Sequence, residues 1–206
     1  MDQIYISPGN IRMDFPTFSL PAVTSCPNHT VDCGNYCYAK KAEKLYPGVL
    51  PSRIRNLNES KRNTFVKIVS DILSKRQSKY IRIHESGDFY SQEYLDKWFE
   101  ICRKFPDKKF LAYTQCYNLD YSNKPDNLVL YWTIWPDSRE APKTGLKAFV
   151  IGTDTIPLGT YSEKYSIHAT RIKTAFKCKK GKGHELKCND CLHCFEGKGD
   201  VIFEIH

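Results

Sequence analysis

The chain has 206 residues, 41% of them hydrophobic, a formal net charge of +8 and nine cysteines. That length holds one sizeable domain with a small appendage, and the apolar content suffices for a packed core. No run approaches the ~20 apolar residues of a membrane span. The start, Met1-Asp-Gln-Ile-Tyr5, lacks a basic segment followed by an apolar one, so no secretory leader is expected. The expectation is a cytoplasmic chain with no membrane partner. In a reducing compartment nine cysteines speak for metal or cluster binding rather than disulfides.

Residues 1–14 read as polar and irregular. Phe15 to Leu20 alternates apolar and polar residues, the pattern of a short strand. A cysteine loop, Cys26 to Cys37, follows it directly. Tyr38 to Leu45 is predicted helical, and Pro51 to Ser60 is read as a basic, polar connection. Asn63 to Arg76 carries Phe65, Ile68, Val69, Ile72 and Leu73 at helical spacing. A strand over Tyr80 to His84 leads into Glu85-Ser86-Gly87-Asp88. Ser91 is the predicted N-cap of a second amphipathic helix that runs to Lys104 and stops at Pro106. Strands follow over Lys109–Thr114, Asn127–Ile134, Lys147–Ile151 and Tyr165–Ala169. Strands that alternate with helices imply parallel units with right-handed crossovers. The expected fold is α/β: a partial, open β/α barrel of about six strands over residues 1–169, with a small cysteine-rich metal-binding extension over 170–206.

Ligands of such sheets gather at the carboxyl ends of the strands. The Cys26 loop, the Glu85–Asp88 turn and Thr114-Gln115-Cys116 each follow a strand, so they are expected on one rim. Cys178, then Cys188-x-x-Cys191-x-x-Cys194, is a spacing that wraps a [4Fe–4S] cube. His184 and His193 keep structural zinc as the alternative there. The earlier loop has only three thiols, Cys26, Cys33 and Cys37. On a [4Fe–4S] cluster they leave one iron free for a small chelating ligand, and S-adenosylmethionine offers an amino and a carboxylate group for it. His29 would instead complete a zinc site, and Cys116 is a further candidate to close it. Cys102 lies on an apolar stripe and reads as core. Gly87 lets the backbone turn sharply, and Glu85 or Asp88 can accept hydrogen bonds from a ligand ammonium group, with Ser86 and Thr114 as further ligand-binding candidates. Arg82 and His84 alternate with Ile81 and Ile83, so they are expected to share a face. Residues 171–187 hold seven Lys/Arg against one acid, Glu185, a patch that can meet the phosphates of a nucleic acid or nucleotide.

Cys26-Pro…Cys33…Cys37-Tyr-Ala, Asn56 and Asn58, His84-x-Ser-Gly-Asp-Phe89, Ala112-Tyr113-Thr114 and the four-cysteine tail together resemble a family of phage-encoded proteins, the "gene product eighty-eight" domain. The resemblance covers roughly Phe15 to Phe195, and a phage origin would place the protein in the host cytoplasm. That family in turn resembles radical S-adenosylmethionine enzymes, which have a partial β/α barrel, a three-cysteine loop after the first strand and a Gly/Glu-rich turn after the second. Tyr36 is similar to the aromatic residue before their last cysteine, and the tail to their auxiliary cluster domains. Their usual loop is Cys-x3-Cys-x2-Cys, whereas this one is Cys-x6-Cys-x3-Cys. The resemblance implies an open cluster, S-adenosylmethionine as cosubstrate, an electron-donor partner and radical chemistry on a nucleic acid or nucleotide. The alternative is a non-catalytic, metal-stabilised module that binds nucleic acid or a host protein.

Overall fold

The computed structural model describes residues 4–10, 13–138, 141–152, 169–178 and 186–205. The strands are β1 (Ile6–Ser7), β2 (Thr17–Phe18), β3 (Tyr80–Ile83), β4 (Lys109–Thr114), β5 (Leu128–Ile134), β6 (Leu146–Ile151), β7 (Phe176–Lys177) and β8 (Val201–Glu204). They form one open sheet in the order β1-β2-β3-β4-β5-β6-β8-β7. Only the β1–β2 pairing is antiparallel. Eight strands stand where about six were expected. Ile6–Ser7 and Val201–Glu204 are too short to show a period in sequence. The expected strand at 165–169 falls largely outside the described residues, and Ala169 opens a helix instead.

The helices are α1 (Val31–Asn35), α2 (Tyr38–Leu45), α3 (Val49–Ser60), α4 (Phe65–Ser74), α5 (Gln92–Lys104), α6 (Ala169–Thr174) and α7 (Cys188–Cys191). Among the described residues, no helix is long and apolar enough to cross a membrane. Ser91 caps α5 as expected, its side chain accepting from the Tyr94 N–H at 3.2 Å. The connection expected at 51–60 is instead most of α3. Its buried stripe has helical spacing but is polar: Ser52, Arg53, Asn56, Glu59 and Ser60. Asn56 explains why such a stripe can be buried. Its side chain accepts from the Tyr5 N–H at 2.8 Å and donates to the carbonyls of Tyr5 and Ser19 at 2.8 and 2.9 Å, so both ends of the buried amide are paired.

Side chains alternate across each strand, and both faces of the sheet are covered, as a parallel sheet requires. On one face α4 and α5 pack Phe65, Val69, Trp98 and Cys102 onto Phe18, Ile81, Ile83, Phe110 and Leu128. Phe18, Phe65 and Trp98 meet edge to face, 5.3–5.7 Å apart. Ile134, on the same face of β5, meets Ile172 of α6. The opposite face carries Leu111, Tyr131, Ala148 and Val201 under Phe15 and Phe195. The tail is thus bound into the sheet, with β8 between β6 and β7. Arg171 clamps it by a bidentate pair with Asp200, at 2.6 and 2.7 Å.

Candidate metal centre

The three expected rim segments do meet at the carboxyl ends of the strands. After β2 the chain turns at Pro21 and passes under the turn that follows β3. The Leu20 N–H donates to the Ser86 carbonyl at 2.9 Å, and the Asp88 N–H to the Ser25 carbonyl at 3.3 Å. Gly87 sits at the crossing with φ +93, and a Cβ there would stand 2.6 Å from Leu20 Cβ and 2.8 Å from Ser25 Oγ. Asp88 ties the third segment in. One carboxylate oxygen accepts the Phe89 N–H at 2.7 Å and the other the Gln115 N–H at 2.8 Å. Burial raises its pKa to about 6 against the pull of those donors. Its two oxygens thus hold backbone amides of the rim, and the neighbouring Glu85 carboxylate accepts from the Asn10 amide at 2.8 Å.

The Cys26–Cys37 loop closes over this rim. Thr30 caps α1 by accepting from the Cys33 N–H at 3.2 Å. The Asp32 N–H donates to Asp137 beyond β5 at 2.9 Å, and the Tyr38 hydroxyl donates to the Glu85 carbonyl. Cys33 packs against Trp135, Val150 and Ile205, and Gln115 Nε2 donates to Cys33 Sγ at 3.1 Å. Burial and then the charges of Asp88, Cys33 and Cys37 push the Cys26 thiol far above its ordinary value. Burial pushes the Cys33 thiol up to about 12, with the Gln115 bond opposing. Gln115→Leu is expected to raise it further. Because the thiolate is the nucleophile, Cys33 should then be alkylated more slowly by iodoacetamide, read by peptide mass spectrometry against Cys37 as the internal reference.

Cys116 is buried on the same rim, close enough to Asp88 and Cys26 for both to raise its pKa. His29 faces its own loop, with Nδ1 2.6 Å from the Cys26 carbonyl. Cys102 is fully buried in the core. Arg82 and His84 do not share a face, against the expectation. β3 ends at Ile83, and His84 has φ +61, which rotates its ring into the helix-covered core. There Nε2 bonds the Tyr94 hydroxyl at 2.7 Å. Arg82 stays on the opposite face, its guanidinium 4.0 Å above the Tyr113 ring.

Three of the four tail cysteines lie on that opposite face. Cys178, Cys188 and Cys194 pack there with Tyr113 and Phe203. Burial pushes the Cys194 thiol up to about 12, while the Tyr113 hydroxyl donates to it and the nearby Arg82 charge opposes the rise. Sequence reasoning missed Arg82, Tyr113 and Gln115 as partners of sulfur. The one available signal was their place on neighbouring parallel strands.

None of the nine cysteines is in a disulfide. Among the described residues no three His, Cys, Asp or Glu side chains stand in position to ligate a single ion. Of the seven thiols in the two sets, burial makes Cys26, Cys33 and Cys194 costly to ionise without a cation, and soft sulfur is the donor type that an iron–sulfur cluster or zinc takes.

Fold and site together define an open, mainly parallel α/β protein with a three-thiol loop across the carboxyl ends of its strands. The chain belongs to the Gene product 88 family, whose family model matches residues 6–197. It is 27% identical over 197 residues to the Gene 88 protein of Mycobacterium phage L5, covering 87% of this chain and 81% of that one. It is 26% identical over 201 residues to the Gene 88 protein of Mycobacterium phage D29, with the same coverage. No solved structure matches the chain.

Proposed function

We propose that this is an iron–sulfur protein of reducing compartments, built on an arc of a β/α barrel, with an open cluster held by Cys26, Cys33 and Cys37. Cys178, Cys188, Cys191 and Cys194 hold a second, closed cluster. The observation that carries this reading is a loop with three thiols outside any disulfide, lying over the rim where Gln115 donates to Cys33. Strands β2 to β6 and then β8 lie side by side, and helices α4 to α6 cover one face, the winding of a barrel arc. The open cluster, when bound, supplies one electron at an iron free to take a chelating cosubstrate such as S-adenosylmethionine. The chain's own residues do the rest. Asp88 fixes the loops, Glu85, Ser86 and Thr114 line the rim, and Gln115 orients Cys33.

Purification without oxygen followed by iron, sulfide and zinc analysis tests this. The expected result is brown protein with about eight irons per chain, falling to about half when Cys26, Cys33 and Cys37 are all changed to Ala. Reductant with S-adenosylmethionine should then release 5′-deoxyadenosine. Colourless protein that holds zinc overturns the cluster reading. One observation favours zinc at the tail as a second reading: His193 Nε2, beside Cys194, is buried without a hydrogen-bond partner.

A further inference from the structure

Within the basic patch expected at 171–187, two of the seven Lys/Arg side chains are paired with acids. Arg171 is taken up by Asp200, Lys177 is paired with Glu204 at 2.6 Å, and 179–185 lie outside the described residues. A different surface has the right chemistry for a polyanion. Of the exposed large apolar side chains among the described residues, only Tyr5 and Leu186 lie outside 31–54. The others crowd onto α1, α2 and α3, beside the three-thiol loop. Their centre is Tyr36-Cys-Tyr38-Ala-Lys40-Lys41-Ala-Glu-Lys44-Leu45-Tyr46, where aromatic and basic residues interleave. Tyr46 and Leu45 are each 61% exposed and Tyr36 40%. The acids of α2 and α3 are already used: Glu43 pairs with Arg53 at 2.9 Å and Glu59 with Arg62 at 3.2 Å. Lys41 and Lys44 are exposed with no carboxylate partner among the described residues, and Lys40 reaches only the Gly34 carbonyl at 3.3 Å.

From this we infer that α1–α3 form a docking face for single-stranded nucleic acid, which runs the strand past Cys37 and the open loop. Lysines without partners meet phosphates, and exposed tyrosine rings offer stacking platforms to unpaired bases. A duplex hides its base faces from such rings, so the single strand is preferred. An acidic protein would answer the lysines alone and leave the three tyrosine rings unused. The inference stands apart from the metal reading, because it rests on side chains that hold no metal and is read by binding alone.

The test is fluorescence anisotropy of the purified full chain with fluorescein-labelled oligothymidylate, an RNA of mixed sequence and the corresponding duplexes, across a salt series. Single strands should bind about tenfold or more tighter than duplex, with log affinity falling against log salt at a slope of about −2. Lys40→Glu/Lys41→Glu/Lys44→Glu should cost roughly a hundredfold and flatten that slope. Tyr36→Ala/Tyr46→Ala should cost roughly tenfold per ring with the slope kept. Lys75→Glu, at the end of α4, should change neither. Photocrosslinking of a bromodeoxyuridine oligonucleotide to the unaltered protein should mark Tyr36 or Tyr46. The inference fails if single strands do not bind or if crosslinks fall elsewhere. It fails equally if light scattering shows that the face joins two copies of the chain, which the tyrosine variant separates.

Discussion

Gly87→Ala should cost about 3 kcal/mol of folding stability, through two separate penalties. The φ of +93 is a backbone region that an L side chain occupies only under strain. The added methyl must also displace Leu20, which is fully buried, and Ser25, the neighbour of Cys26. Leu20 Cβ is fixed to its backbone and Ser25 Oγ is held by the Pro21 carbonyl, so relief has to come from the backbone that carries the first cysteine. Urea unfolding should therefore show a lower midpoint, and on the proposed cluster reading iron should leave the first site ahead of the tail site. A variant of unchanged midpoint would mean that the two segments do not cross as described.

Acid should act on this protein through two opposed groups, His84 and Asp88. Burial first, and then the Arg82 charge, lowers the His84 pKa from 6.5 to about 3. The folded state therefore refuses a proton that the unfolded state takes up, and stability falls as pH drops from about 6.5 to about 3, by on the order of 4 kcal/mol. Asp88 runs the other way. Its folded pKa of about 6 lies above the unfolded value of about 3.9, so the folded state takes up the extra proton and stability rises as pH falls from about 6 to about 4. The two nearly cancel in that window, and the loss resumes below it. His84→Asn separates them, because asparagine tolerates positive φ and does not titrate. The unaltered protein should show similar urea midpoints at pH 6 and pH 4, whereas the variant gains about 2–3 kcal/mol over the same interval. Parallel curves for the two proteins would remove His84 from the account.

Where burial was apolar, the sequence was legible. Lys109–Thr114 has the bounds that its pattern implies, and Cys102 lies in the core that its stripe indicated. Helix α3 was not legible, because hydrophobic periodicity cannot register a buried stripe of Ser, Arg, Asn and Glu. The partners of those side chains are a backbone segment fifty residues away and a neighbouring helix. The face of His84 was lost for a more local reason, a single left-handed residue that ends the strand's alternation. For the site, strand order placed Cys26–Cys37, Glu85–Asp88 and Gln115 on one rim, as parallel winding requires. The sequence suggested Asp88 as a ligand acceptor, and in the fold its oxygens accept two backbone amides. No one-dimensional pattern distinguishes a carboxylate that meets a ligand from one that meets two backbone amides.

The position of β8 sets an order on how the sheet is assembled. β7 precedes it along the chain, yet within the sheet β7 pairs with β8. Until residues 201–204 have left the ribosome and zipped against β6, β7 has no strand to join. Cys178 directly follows β7 and cannot join Cys188 and Cys194 before then. The Cys26 loop crosses strands made much earlier, yet its Cys33 packs against Ile205, beyond β8, so both sulfur-rich segments wait on the last strand for their full packing.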